Sequence, residues 1–193
     1  MAATAKHFPG HGAAGAEDTD SGPVTLDLSK RTLRDVDEFP YENAIAEGTR
    51  LVMIANATYP ALDPARPASP SRPVIRGQLR QRLGFRGVTI TDALEAGGLE
   101  DFGPIPHRGV LAARAGADLL LFSQQEIGEG LAGYKELRET FQGGGMNAGR
   151  VRGLGAARAE VARGARGGST APSAVERRRS PVSPRVGRRT AAG

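Results

Sequence analysis

The sequence predicts an α/β chain in which about four β-loop-α units build a parallel sheet, either open and doubly wound or part of a (β/α)₈ barrel. Three observations carry this. Short apolar runs, nearly continuous in hydrophobicity, read as strands buried on both faces. Amphipathic stretches with their own start and stop residues lie between them. The strand signals recur every 30 to 45 residues or so, enough for right-handed βαβ crossovers.

Taken in order, Ala3 to Phe8 is the first strand, and Leu51-Val52-Met53-Ile54-Ala55 is the second. Between them Pro40 can open a helix that turns Tyr41, Ala44 and Ile45 inward and stops at Gly48. Ser71 and Pro73 open the next helix, with Ile75, Leu79 and Leu83 on one face and Gly84 as its stop. Val88-Thr89-Ile90-Thr91 is the third strand. A helix from Pro106 to Gly116 leads to the fourth, Asp118-Leu119-Leu120-Leu121-Phe122. Ile127, Leu131, Tyr134, Leu137 and Phe141 then follow one helical stripe.

Beyond Gln142 the order is lost. Residues 143–193 carry Gly143-Gly144-Gly145, Arg177-Arg178-Arg179 and a Ser, Pro and Ala background, too poor in apolar surface to offset chain entropy. They read as a disordered basic tail with a frayed helix near Ala156 to Ala162. From residue 150 on there are eleven arginines against two acids, a surplus of nine in a chain whose net charge is +5, so the first 149 residues carry −4. The basicity belongs to the tail. With no aromatic residue there to stack a base, the tail offers non-specific polyanion attraction and no specific nucleic-acid partner is expected.

The chain has no cysteine, which excludes disulfides, thiolate metal sites and thiol nucleophiles. No run approaches the length of a membrane span and no secretory leader pattern opens the sequence, so no membrane partner is expected and a cytosolic location is. No glycine-rich phosphate loop follows any strand, which weakens a nucleotide-binding reading.

Polar residues cluster at strand ends: Lys6, His7 and His11 at the first, Asn56 and Tyr59 at the second, Asp92 at the third, Ser123 and Gln124 at the fourth. Ligands of parallel α/β folds bind at the carboxyl ends of strands, so these residues are expected to converge. His7 and His11 lack a third ligand at a recognisable spacing, and no metal site is expected. His107, beside Pro106, reads as a helix-start residue.

Four segments carry a resemblance. Ala5-Lys6-His7-Phe8-Pro9-Gly10-His11-Gly12, Gly22-Pro23-Val24, Tyr59-Pro60-Ala61-Leu62-Asp63 and Gly84 to Leu94 (GFRGVTITDAL) together resemble glycoside hydrolase family 3, in particular its single-domain β-N-acetylhexosaminidases. The match covers about residues 2–125. It implies the C-terminal half of a TIM (β/α)₈ barrel over residues 1–142, with the four strands as the fifth to the eighth. It implies a retaining glycosidase acting on a carbohydrate without a cofactor. Lys6 and His7 match the pair that binds sugar hydroxyls, and Asp92 matches the nucleophile.

A retaining glycosidase also needs a group that protonates the departing oxygen and then deprotonates water. The family branch carries a histidine for this in an Asp-Ser-His loop, where this chain has Asp20-Ser21-Gly22. The shuttle is therefore unassigned, with His11, Asp18 and Asp20, and Glu17 beside them, as candidates. Rival readings are an inactive remnant or sugar-binding fragment, and a polyanion binder acting through the tail. A half barrel also leaves unpaired strand edges, so self-association is expected.

Overall fold

The computed structural model describes residues 3–123 and 127–146. The tail expected from residue 143 lies outside the described residues beyond Met146, as does Gln124.

Six strands form: β1 (Thr4–Phe8), β2 (Leu51–Ile54), β3 (Thr58–Tyr59), β4 (Asp63–Pro67), β5 (Val88–Ala93) and β6 (Leu119–Leu121). The main sheet has the order β1-β2-β5-β6 with every pair parallel. These are the four strands the sequence predicts, three from apolar runs and the first from Ala3 to Phe8. Their order never reverses along the chain, which is the order of a barrel wall and not of a doubly wound sheet. The sheet is open, and no closed barrel forms among the described residues.

Helices Phe39–Ala46, Pro73–Arg82 and Ile105–Ala115 form the crossovers, each close to the expected limits. The Ser71 hydroxyl accepts from Val74 N (3.2 Å) at the start of the second helix, and Ile75 and Leu79 are fully buried on its inner face. That helix is wound wider than an α-helix, and Gly84 follows it with φ 70°. The core joins Phe8, Leu33, Val52, Ile54, Tyr59, Phe85, Leu94 and Leu99, all at most 1% exposed.

The structure departs from the sequence reading in five places. β5 runs on through Asp92 to Ala93, so Asp92 stands within the strand's carboxyl end. An antiparallel hairpin, β3–β4, follows β2 and was not expected. Its Tyr59 does not face the other polar strand-end residues: it is buried, and its hydroxyl donates to Gly10 O (2.7 Å). The last helix, Ile127–Gln142, exists, but its apolar stripe faces out, with Ile127, Leu131 and Tyr134 each more than 60% exposed. The reason lies on the other face. Gly133 is buried against the Phe122 ring, where an added Cβ would come within 2.4 Å of ring carbon, so the smallest residue decides which side packs. His107 also does more than begin a helix, since its Nδ1 lies 3.1 Å from Glu136 Oε1 on this last helix.

Arg80 fastens the second crossover to the sheet. Its guanidinium donates to Gly87 O (2.5 Å), Phe85 O (3.1 Å) and Asp118 Oδ2 (2.5 Å), and lies 5.0 Å above the Phe85 ring. The same Asp118 oxygen accepts from Thr89 N (2.8 Å) and Thr89 Oγ1 (2.9 Å), which binds the start of β6 to β5. Removing one partner of such a mostly buried pair strands the other charge. Arg80→Ala is expected to lower unfolding stability by about 3 kcal/mol in urea titration, and a loss below about 1 kcal/mol, the value of an exposed pair, would contradict this role.

Candidate functional site

Parallel pairing brings the carboxyl ends of β1, β2 and β5 to one side of the sheet. There a cleft of about 280 Å³ is lined by Lys6 and His7 from β1, His11 from the turn after it, Asp18, Thr19 and Asp20 from the following loop, Ala55 and Asn56 after β2, and Asp92 of β5. Every residue to which the resemblance gives a role, and all three main candidates for the proton shuttle, line this one cleft. Glu17 and Tyr59 do not. Ser123 lies apart, its N–H and hydroxyl donating to the Glu95 carboxylate (2.8 and 3.3 Å).

At the floor, His7 Nε2 stands 3.3 Å from Asp92 Oδ2, and the His7 and His11 rings meet edge to face at 6.2 Å. Asp92 Oδ1 accepts from the N–H of Ala93 (2.9 Å), which leaves Oδ2 for His7. The Lys6–His7 and Phe8–Pro9 peptides are both cis. Gly10 holds the turn between the histidines at φ 154°, and a Cβ there would collide with the Asp37 side chain at 2.5 Å. Asn56 fixes the wall: its Nδ2 donates to Ala93 O (2.7 Å), beside Asp92, while its Oδ1 accepts from Ser69 Oγ (2.6 Å).

The Asp18–Gly22 loop is fastened over this floor. Gly97 N donates to Asp20 O (3.1 Å) and Gly98 N to Thr19 O (2.8 Å), while within the loop Asp20 N donates to Asp18 Oδ1 (3.0 Å). A Cβ on Gly97 would sit 2.9 Å from Gly22 N and one on Gly98 3.2 Å from Gly22 O, so the contact needs bare backbone. Thr19 is buried beneath it. At Gly22, where the resemblance would place an imidazole, an added Cβ would meet nothing within 4 Å. The sequence reading missed Thr19, Ala55 and the Gly97–Gly98 seat. The adjacent glycines were the available signal, since such pairs often mark a close backbone approach.

The cleft thus offers a cation, two imidazoles and three carboxylates around a polar floor. Among the described residues no group of three His, Cys, Asp or Glu side chains is placed to hold a metal ion. A carboxylate at a strand end beside ammonium and imidazole groups can attack an electrophilic carbon, and the loop acids can move a proton.

Comparison with known proteins points the same way. The profile of the glycosyl hydrolase family 3 N-terminal domain matches residues 1–154. An uncharacterized secreted glycosyl hydrolase of Arthroderma benhamiae is 47% identical over 145 residues, which is 75% of this chain and 41% of that protein. A β-hexosaminidase of Thioalkalivibrio sulfidiphilus is 41% identical over 123 residues, 63% of this chain and 34% of the relative. Among solved structures, a family 3 β-N-acetylglucosaminidase from a Paenibacillus species superposes with a TM-score of 0.82 at 31% identity, covering 95% of this chain and 35% of that one. The chain therefore spans about two fifths or less of the length of these relatives.

The electrostatics of the floor centre on His7. Burial pushes its imidazole below the ordinary value of 6.5, and neighbouring Lys6 and His11 push the same way, against the opposing pull of Asp92 and Asp20. As pH falls below 6.5, unfolded chain takes up a proton that folded His7 resists. Acidification through that window therefore favours unfolding, and His7 contributes no such penalty above it. Asp92→Asn removes the strongest pull towards protonation, so the His7 NMR titration midpoint is expected to move lower still. A midpoint that stayed in place or rose would show that Asp92 does not act on this ring.

Proposed function

Because the chain belongs to glycosyl hydrolase family 3, matching that family's N-terminal domain, we propose that it hydrolyses terminal β-linked N-acetylamino sugars by a retaining, two-step route, on the second half of a TIM barrel. The observation that carries the reading is the gathering of Lys6, His7 and Asp92 with unassigned loop acids in one cleft at the strands' carboxyl ends. In this reading β1, β2, β5 and β6 are the fifth to eighth strands of the barrel. The sugar class rests on relatives named as β-hexosaminidases and on the β-N-acetylglucosaminidase structure.

Each residue then has a task that follows from its chemistry. Asp92, ionised, attacks the anomeric carbon as the glycosidic C–O bond breaks and the departing oxygen takes a proton from an acid in the cleft. A water that loses its proton to the same group then displaces Asp92 and restores its carboxylate. Lys6 donates to sugar hydroxyls; the depressed basicity of His7 keeps its ring neutral near pH 7, with the Nε2–H directed at Asp92 and Nδ1 left to accept from a sugar hydroxyl. The burial of Asn56 and its bond to Ala93 O hold the end of β5 still during attack.

The open sheet ends on β1 and β6, whose outer edges pair with no strand among the described residues. We read these edges as the seat of self-association between copies. Purified chain is expected to elute as a dimer or larger, and a monomer that unfolds cooperatively would count against this. Released chromophore from an aryl N-acetylglucosaminide is the direct test of activity, with Asp92→Asn expected at background; no turnover in the unaltered chain would leave the sugar-binding reading in its place. Lys6→Ala is expected to raise KM by about 10- to 100-fold, the value of about 1.4 to 2.8 kcal/mol of charged hydrogen bond. An unchanged KM would remove Lys6 from the sugar's contacts.

A further inference from the structure

We propose that Asp20 is the proton shuttle of this cleft, an assignment that rests on the retaining-glycosidase reading above. Two observations separate it from the other candidates. Its carboxylate accepts no hydrogen bond from any described residue, whereas Asp18 spends Oδ1 on the N–H of Asp20 (3.0 Å). His11 is hampered differently: its Nδ1 is buried without a hydrogen-bond partner, so no acceptor there stabilises the imidazolium a shuttle must form. Asp20 lines the same cleft as His7 and Asp92, which stand 3.3 Å apart at its floor.

A shuttle must be held as well as free. The backbone on either side of the Asp20 side chain is tied down through Thr19 O and Asp20 O to Gly98 and Gly97, on the segment that follows the nucleophile's own strand. The Asp20 backbone is thereby bonded to the stretch of chain that follows Asp92. Gly22 shows that no imidazole is present to do this work, although the space beside it is open.

In the first step the Asp20 carboxyl gives its proton to the leaving oxygen while Asp92 forms the bond to the anomeric carbon and the glycosidic C–O bond breaks. In the second, the Asp20 carboxylate takes a proton from water, the water oxygen bonds to the anomeric carbon, and the Asp92 ester bond breaks. No co-reactant beyond water is needed.

The test is a pair of leaving groups on the full-length chain. Asp20→Ala and the near-isosteric Asp20→Asn should both lose about 10²- to 10⁴-fold in kcat/KM on an alkyl N-acetylglucosaminide. On the dinitrophenyl glycoside, whose leaving group needs no proton, glycosylation of Asp92 should proceed at close to the original rate. The glycosyl-enzyme should then accumulate, visible by mass spectrometry, and azide should release it as the β-glycosyl azide. Asp18→Ala and His11→Ala should show neither the leaving-group dependence nor azide rescue. The assignment is overturned if both Asp20 variants hydrolyse the alkyl glycoside normally, or if the rescue pattern appears in Asp18→Ala or His11→Ala instead. An unaltered chain that fails on both substrates sinks the glycosidase reading itself and this assignment with it.

Discussion

The parallel register of β2 against β5, running from Leu51↔Val88 to Ile54↔Thr91, is the constraint on which the rest of the molecule depends. Parallel pairing requires each strand to be re-entered from the same end, which is why every connection in the main sheet is a crossover carrying a helix. It also makes all strands finish on one side. Residues far apart in the chain, Lys6, Asn56 and Asp92, therefore meet in one cleft without any contact having to bring them there individually. β1 reaches the same end through an irregularity between Ala5 and Phe8, the stretch that carries Lys6 and His7.

Polar bonds then refine what apolar burial establishes. Two stitches lie at opposite ends of the sheet. At the entry end, Arg80, Thr89 and Asp118 join the Pro73–Arg82 helix, β5 and β6. At the exit end, Asn56 bridges Ser69 and Ala93, so the hairpin side and the strand of Asp92 share one buried amide. Arg108 adds a third, its buried guanidinium donating to Gly103 O (2.7 Å) and Leu94 O (3.0 Å) and so shaping the chain just past Asp92. A buried cation satisfied by carbonyls holds backbone where no strand partner remains to do so.

How much of this was legible depends on whether the signal was local. The main strands were, because Leu51 to Ala55 or Leu119 to Phe122 can be little else than buried strands, and the glycines at 48, 84 and 116 stop the helices where they were expected to. The strand-end residues Lys6, His7, Asn56 and Asp92 were legible for the same reason. The β3–β4 hairpin was not: Thr58–Tyr59 is too short to show alternation, and Pro64 and Pro67 argue against a strand unless it lies at an edge. The packed face of the Ile127–Gln142 helix was not legible, because the periodic stripe is genuine while the choice of face belongs to Gly133 and Phe122, a contact between residues the sequence gives no reason to pair. The seat of the Asp18–Gly22 loop was invisible in the same way, since backbone meeting backbone leaves no side-chain pattern.

That seat has a thermodynamic consequence. A loop left free over a cleft must be immobilised each time a ligand enters, and fixing even a few residues costs roughly 1–2 kcal/mol apiece. Here the backbone bonds from Gly97 and Gly98 have already removed that freedom during folding. A ligand arriving in the cleft inherits an ordered loop, so more of its contact energy is retained as affinity and less is absorbed by conformational entropy. Two residues without side chains, touching no ligand, thus help set how tightly the cleft can hold one.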